Sequence, residues 1–253
     1  MELPEIPAGT GKHPVLLVAI AANSMAESKA FYSRLFNWQP MPVSAEVTAC
    51  LTTAGPSVSL RSNTPVGFQG MVPFLGVADV DEALQQVVDA GAAVERAPWN
   101  VPMVGKLARF TDPSGTVYGL TGALSPGDMP AMPMPFGSNP KPPAGSICSL
   151  ELFARDAAVT ARFFGENFGW GTLETMPNYL AFNPGAGVGG TFQSHTPTMP
   201  AVAYIYVADV RATLDEIDAS GGKRMADAMP VPGAGTFGYF VDPSGSRMGL
   251  IGP

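Results

Sequence analysis

The sequence predicts an α+β protein built from tandem βαβββ modules, and three observations carry that prediction. Val77-Ala-Asp-Val80 returns as Val207-Ala-Asp-Val210, and Thr111-Asp-Pro-Ser-Gly115 returns as Val241-Asp-Pro-Ser-Gly245, both 130 residues further on (Asp79 to Asp209, Asp112 to Asp242). Phe31-Tyr-Ser-Arg-Leu-Phe-Asn-Trp38 matches Phe163-Phe-Gly-Glu-Asn-Phe-Gly-Trp170 at an offset of 132, so the intervening loops differ by two residues. Between the copies lies Ser125 to Gly145, which holds Pro126, Pro130, Pro133, Pro135, Pro140, Pro142 and Pro143. That composition favours an extended linker over helix or central strand. The copies thus occupy residues 1–124 and 146–253, with 125–145 between them. The linker's Met129, Met132 and Met134 would let it pack along a surface.

Each copy reads the same way. An apolar strand (Val15 to Ile20; Ile147 to Phe153) leads into a helix. Ser24 caps that helix and Glu27, three residues on, completes a capping box; Asp156 is the counterpart cap. Phe31 with Leu35, and Val159 with Phe163, stand at i and i+4 and supply the buried stripe. After two short strands, a second apolar strand (Met71 to Val77; Ala201 to Val207) meets Asp79 or Asp209 as the cap of a second helix, with Gly91 and Gly221 at C′. Gly185-Ala-Gly-Val-Gly-Gly190 reads as a turn between short strands. Asp-Pro-Ser-Gly then fits a type I turn at every position and joins two closing strands. The resulting formula is βαβββαβββ, or βαβββ used twice. Two short helices cover only one face of such a sheet, which leaves the other for the second copy or a ligand.

Composition narrows the function classes. The 253 residues are 46% hydrophobic and only 14% charged, with a net charge of -7. Such a chain can bury a core, but it has no basic stripe for nucleic acid. The longest apolar run, near Val15 to Ala22, is too short to span a bilayer, and Met1 to Pro7 lacks a cationic region followed by an apolar one. The expectation is a cytoplasmic protein without membrane or nucleic-acid partners. Cys50 and Cys148 show no metal or redox spacing and read as core cysteines. His13 and His195, in proline-containing loops, read as solvated residues. Neither a nucleophile elbow, a P-loop nor a dinucleotide fingerprint is present.

Taken together, Ser28-Lys-Ala-Phe-Tyr32, Phe36-Asn-Trp38, the two Val-Ala-Asp-Val segments and the two Asp-Pro-Ser-Gly turns followed by Gly119-Leu120 and Gly249-Leu250 resemble the vicinal oxygen chelate superfamily. That superfamily includes glyoxalase I, extradiol dioxygenases and bleomycin-resistance proteins. The resemblance implies paired, curved mixed sheets enclosing a cup that carries the active site. In metal-dependent members the ligands come from the first strand, the strand before the second helix, and the strand after the Asp-Pro-x-Gly turn. Those positions here hold Leu17, Val72 and Gly119 in copy one and Ser149, Val202 and Gly249 in copy two. None is a useful donor, so the departure from the family pattern implies neither metal nor cofactor. A slip of two residues in copy two would bring in Glu151, still without partner ligands.

Strand alternation around these positions nominates the side chains that face the cup. Copy one offers Val15, Ala19, Phe74, Gly76, Val117 and Thr121. Copy two offers Ile147, Glu151, Tyr204, Tyr206 and Arg247. An apolar wall opposite a few polar groups is the usual make-up of a small-molecule pocket. Glu151 and Arg247 read either as a charge pair satisfying itself or as ligand contacts, and the two tyrosines either as strand packing or as contacts. Trp38 and Trp170 occupy equivalent places and read as structural, whereas Trp99 lacks a counterpart and is a candidate lid. Phe74, Trp99, Glu151, Tyr204, Tyr206 and Arg247 are thus the candidate ligand contacts. The expected function is metal-free sequestration of a small, largely apolar compound. The alternatives are a cofactor-independent lyase, isomerase or hydroxylase-like enzyme with Glu151 as base and Tyr204, Tyr206 and Arg247 stabilising an oxyanion, or a protein-interaction role. The linker's length favours pairing of modules within one chain, as a monomer or a weak dimer.

Overall fold

The computed structural model describes residues 5–62, 70–102, 104–122, 130–133, 140–194 and 201–253. His195 and the linker residues Pro126, Met129, Met134 and Pro135 lie outside them. Copy one contributes β1 (Val15–Ala21), α1 (Met25–Phe36), β2 (Gln39–Pro42), β3 (Val47–Leu51), β4 (Ser57–Arg61), β5 (Met71–Gly76), α2 (Val80–Asp89), β6 (Ala93–Val101), β7 (Gly105–Thr111) and β8 (Val117–Thr121). Copy two contributes β9 (Ile147–Phe153), α3 (Ala157–Phe168), β10 (Gly171–Met176), β11 (Tyr179–Asn183), β12 (Gly190–Gln193), β13 (Ala201–Tyr206), α4 (Val210–Ala219), β14 (Lys223–Arg224), β15 (Met229–Val231), β16 (Gly235–Val241) and β17 (Arg247–Gly252). These strands form two mixed sheets, of eight strands in the order β2-β3-β4-β1-β5-β8-β7-β6 and of nine led by β10-β11-β12-β9-β13-β17-β16-β14, with β15 on β16. The α+β class is as predicted. Three short strands, not two, separate the first helix from the second apolar strand, so copy one is βαβββ used twice and copy two adds one short strand after α4.

The caps are where the sequence places them. Ser24, Asp79, Asp156 and Asp209 each accept a backbone N–H from the first turn of their helix. Gly91 and Gly221 follow α2 and α4 with φ of 96° and 88°, conformations that suit glycine. The helix stripes differ from expectation, because Leu35 and Val159 are only half-buried. The buried rows are Ser28, Phe31, Tyr32 and Phe36 on α1, and Thr160, Phe163, Phe164 and Phe168 on α3. A row of wide aromatic rings shifts the buried face round the helix toward Tyr32 and Phe164.

The chain folds into two compact units, each drawing on both copies: residues 1–17, 72–131 and 151–201 form one, and 18–71, 132–150 and 202–253 the other. In the first unit, Phe110 of β7 packs against Phe163 and Phe168 of α3, and Tyr118 of β8 against Phe164. In the second, Phe240 of β16 packs against Phe31 and Phe36 of α1. Trp38 is fully buried there, stacked 4.6 Å from the Tyr32 ring, and donates to Gly145 O at 2.8 Å. Trp170 of the first unit lies against Phe164, Phe182 and Phe192 and donates to His13 O at 2.9 Å. Both tryptophans are therefore core elements. His13 is not a solvated loop residue, since its ring meets Gly76 O at 3.0 Å and the Phe168 edge.

The Asp-Pro-Ser-Gly turns close each unit. Gly115 and Gly245 donate to the Asp112 and Asp242 carbonyls at 2.9 Å, as a type I turn requires. Both aspartates are buried. Asp242 accepts from the Ser244 and Ser246 amides and, at 2.9 Å, from the Tyr32 hydroxyl of α1. Asp112 accepts from the Thr116 amide and, at 2.6 Å, from the Thr160 hydroxyl of α3. Each turn thereby grips the first helix of the other copy. The turn serines add to this: the Asp156 amide donates to Ser114 Oγ, and the Asn23 amide to Ser244 Oγ.

Burial pushes the Asp242 carboxyl up from 3.8 to about 6, against the pull of its four donors, and raises Asp112 for the same reason. A carboxyl that holds its proton more tightly when folded stabilises the fold below its unfolded value, and that contribution is lost as pH rises through its folded value. Unfolding free energy should accordingly fall between about pH 4 and pH 6. Asp242→Asn, which cannot titrate, should flatten that slope by an amount on the order of 2 kcal/mol, leaving the part owed to Asp112. Urea unfolding of both proteins at pH 4, 5, 6 and 7 reads the difference.

Candidate functional site

The two sheet faces that carry the predicted contacts are best described one unit at a time. In the second unit, β13 runs parallel to β17 with Tyr204 beside Gly249, and β16 pairs antiparallel with β17 so that Tyr239 also stands beside Gly249 and Val241 beside Arg247. Gly238 and Phe240 of β16 turn toward the helices: a Cβ on Gly238 would touch Val210 and Leu214 of α4. By alternation, Phe237 and Tyr239 face the opposite way, where they meet Tyr204. Tyr204 lies edge-on to both, with centroids 6.0 Å from Phe237 and 5.7 Å from Tyr239. The Tyr204 and Tyr239 hydroxyls are hydrogen-bonded at 2.5 Å, and the Arg247 guanidinium lies 4.9 Å from the centre of the Tyr239 ring. Arg247 is half-buried and its Nε has no hydrogen-bond partner among the described residues.

The first unit carries the corresponding row with different chemistry. Phe74 of β5 stands beside Gly119 of β8, and Arg109 of β7 also faces Gly119. Arg109 takes the place of Tyr239, and Val117 that of Arg247. Arg109 is neutralised by Glu95, with contacts of 2.6 and 3.0 Å, so this face is not wholly apolar as alternation alone predicts. Trp99 lies on β6, and the Arg96 guanidinium sits 3.9 Å from its ring centre. Glu151 of β9 is also in this unit, 6% exposed, and accepts from the Tyr179 hydroxyl at 3.3 Å.

Phe74, Trp99 and Glu151 therefore belong to one unit, and Tyr204, Tyr206 and Arg247 to the other. Tyr206 is buried beside Ile251 of β17. Sequence reasoning missed Tyr239, Phe237, Arg109 and Tyr179. Tyr239 was within reach, because counting back from the Asp242 turn pairs Val241 with Arg247 and hence Tyr239 with Gly249. Tyr179 gave no signal, since β11 follows a turn with Asn178 at positive φ that fixes its register.

Gly119 and Gly249, the positions to which the resemblance maps a metal-ligand carboxylate, are closed to a side chain by packing. A Cβ on Gly119 would overlap the Phe74 ring, and one on Gly249 would overlap the Tyr204 ring. In both copies an aromatic ring from the neighbouring parallel strand occupies the space where a side chain would begin. Leu17, Val72 and Val202 are buried apolar residues. Among the described residues, no group of three or more His, Cys, Asp or Glu is arranged to hold a metal ion. The residues present thus do not fit the metal centre of the metal-dependent relatives. Nor do the cysteines offer a nucleophile: burial pushes the Cys50 thiol up to about 11 and raises Cys148 further. A shallow, open depression of about 270 Å³ lies on α1 between Lys29, Ala30, Ser33, Pro40 and Pro42, with a single lysine as its charged group and none of the clustered polar side chains above.

The duplicated βαβββ arrangement, the mixed sheets and the paired Asp-Pro-Ser-Gly turns define a two-copy α+β protein with a polar aromatic row in each copy. A model of the glyoxalase/bleomycin resistance protein/dioxygenase superfamily matches residues 15–118. The Mycobacterium tuberculosis protein named "Putative glyoxylase CFP32" is 26% identical over 253 residues, covering 93% of each chain. A glyoxylase-like domain-containing protein of Didymella fabae is 30% identical over 115 residues, which is 40% of this chain and 89% of that one. Among solved structures, the Mn(II)-bound glyoxalase from Novosphingobium aromaticivorans superposes with a TM-score of 0.68 at 16% identity, covering 97% of this chain and 83% of that one. The chain belongs to the glyoxalase/bleomycin resistance protein/dioxygenase superfamily. No helix among the described residues is long and apolar enough to cross a membrane.

Glycine at position 249 should be required by the Tyr204 ring. Gly249→Ala should destabilise the fold by about 1–3 kcal/mol through overpacking, and in a Tyr204→Ala background the same substitution should cost little. A double-mutant cycle by chemical denaturation checks the coupling.

Proposed function

We propose that this chain is a metal-independent binding protein of its superfamily that sequesters a small, largely apolar compound. The observation that carries the reading is the packing of Phe74 over Gly119 and Tyr204 over Gly249. It removes the same ligand position twice and replaces a carboxylate with an aromatic surface. Aromatic rings with a few fixed polar groups are what small-molecule sites present. The rows around Gly119 and Gly249 each supply that combination, with Phe74, Leu107 and Trp99 in one and Tyr204, Phe237, Tyr239 and Arg247 in the other.

Glu151 keeps an enzymatic reading in play. A buried carboxylate held by a phenol is a candidate base for proton abstraction next to a carbonyl. With a turned-over compound in hand, Glu151→Gln should abolish turnover while binding persists. Equal turnover by wild type and variant removes the base assignment.

Equilibrium dialysis of the purified chain against Mn²⁺, Fe²⁺, Ni²⁺ and Zn²⁺, followed by elemental analysis, tests the preferred reading. Metal content should stay well below one ion per chain for all four. Tight uptake of one ion per chain would overturn it.

A further inference from the structure

We infer that the Tyr204, Tyr239 and Arg247 cluster is a receptor for a carboxylate carried on a small apolar body, and that the chain binds one such ligand, through its second copy only. The inference rests on the ligand-binding reading above and adds the ligand's charge and the stoichiometry.

The first argument is the state of Arg247. Other arginines of similar burial are matched to acids: Arg109 to Glu95, and Arg224 to Asp215 and Asp218. Arg247 has no ion pair and no hydrogen bond among the described residues, although its Nε is shielded from solvent. Withdrawing a guanidinium from water without an acceptor is unfavourable, and a bound anion is the simplest compensation. The Tyr239 face beneath it fixes the plane of the fork, so its ordering cost is already met before a ligand arrives. A planar carboxylate matches a fixed guanidinium edge by two parallel hydrogen bonds.

The second argument is the immediate surroundings. The Tyr204 and Tyr239 hydroxyls are bonded to each other on the face that also carries the Arg247 guanidinium. One cation balances a monoanion, whereas a phosphate monoester would bring close to two negative charges. The Phe237 and Tyr204 rings supply the surface for the ligand's apolar body.

The third argument is the comparison between copies. At the places of Tyr239 and Arg247, copy one has Arg109 and Val117, so its cation has moved one strand across and carries its own counterion in Glu95. A carboxylate arriving there would have to displace Glu95. The first row is therefore closed to anions while the second is open.

Isothermal titration of the full chain with matched pairs, benzoate against benzamide and 1-naphthoate against 1-naphthamide, tests the inference. Each carboxylate should bind at least about tenfold more tightly than its amide, with one site per chain. Arg247→Gln should erase that preference with the circular dichroism spectrum unchanged, Arg247→Lys should restore part of it, and Arg109→Gln should leave it intact. Equal affinity for carboxylate and amide, a preference that survives Arg247→Gln, two sites per chain, or no carboxylate binding at about 10 mM would each overturn it. Equal affinities would leave metal-independent binding of apolar compounds standing, whereas tight metal uptake in the dialysis experiment would remove that reading without touching the charge preference.

Discussion

Two buried carboxylates hold this fold together. Asp112 and Asp242 each begin a tight turn and satisfy it from within, and each reaches across to a hydroxyl on a helix far away in sequence. Removing a carboxylate from water is costly, and hydrogen bonds from turn amides, Thr160 and Tyr32 offset only part of that cost, which is why both carboxyls hold their protons more tightly than usual. Because the partner helix comes from the other copy, the turn fixes more than a hairpin. It sets where α1 lies against β16 and where α3 lies against β7, and the aromatic clusters around Phe240 and Phe110 follow.

The turn also sets the register of the strands that display the polar rows. Five residues separate β16 from β17, and from that spacing Val241 faces Arg247 and Tyr239 faces Gly249. One face of β16 is committed to the helices through Gly238 and Phe240, so its other face must carry Phe237 and Tyr239. The glycine beneath Tyr204 completes the row, since only a residue without a Cβ lets that ring lie across the sheet. The same geometry in copy one supports a phenylalanine, a paired arginine and a valine. Duplication conserved the frame, and the copies diverged in the side chains mounted on it.

Much of this frame was legible in the chain. Matched motifs at a fixed offset identified the copies, and Ser24, Asp79, Asp156 and Asp209 announced helix starts that the structure shows, because capping is a local interaction between neighbours in sequence. The candidate contacts were nominated by counting strand alternation from mapped positions, Tyr204 from Val202, Phe74 from Val72 and Arg247 from Gly249. Arg109 was overlooked because its meaning depends on Glu95, fourteen residues away on the next strand. The Asp-Pro-Ser-Gly turns were recognised as turns, but their carboxylates reach partners 48 and 210 residues distant, which no local pattern encodes. Leu35 and Val159 were misassigned because a helical wheel gives the spacing of a buried stripe but not its centre, which large rings from another strand decide.

The crossed arrangement has a consequence for how the protein comes into being. Tyr32 is made 210 residues before the carboxylate it serves, Asp242, so the second compact unit cannot close until that later segment has been translated. Its contacts are of very long sequence separation, which slows assembly and prolongs exposure of the Phe31 and Phe36 face. The first unit, whose segments run from 1–17 to 151–201, is finished earlier and can be in place before its sibling. A gene cut at the proline-rich linker would yield halves that each hold one helix hydroxyl and one buried aspartate belonging to different bonds. The crossed bonds thus tie the two copies together in folding, since each half alone lacks the hydroxyl that its buried aspartate binds in the whole chain.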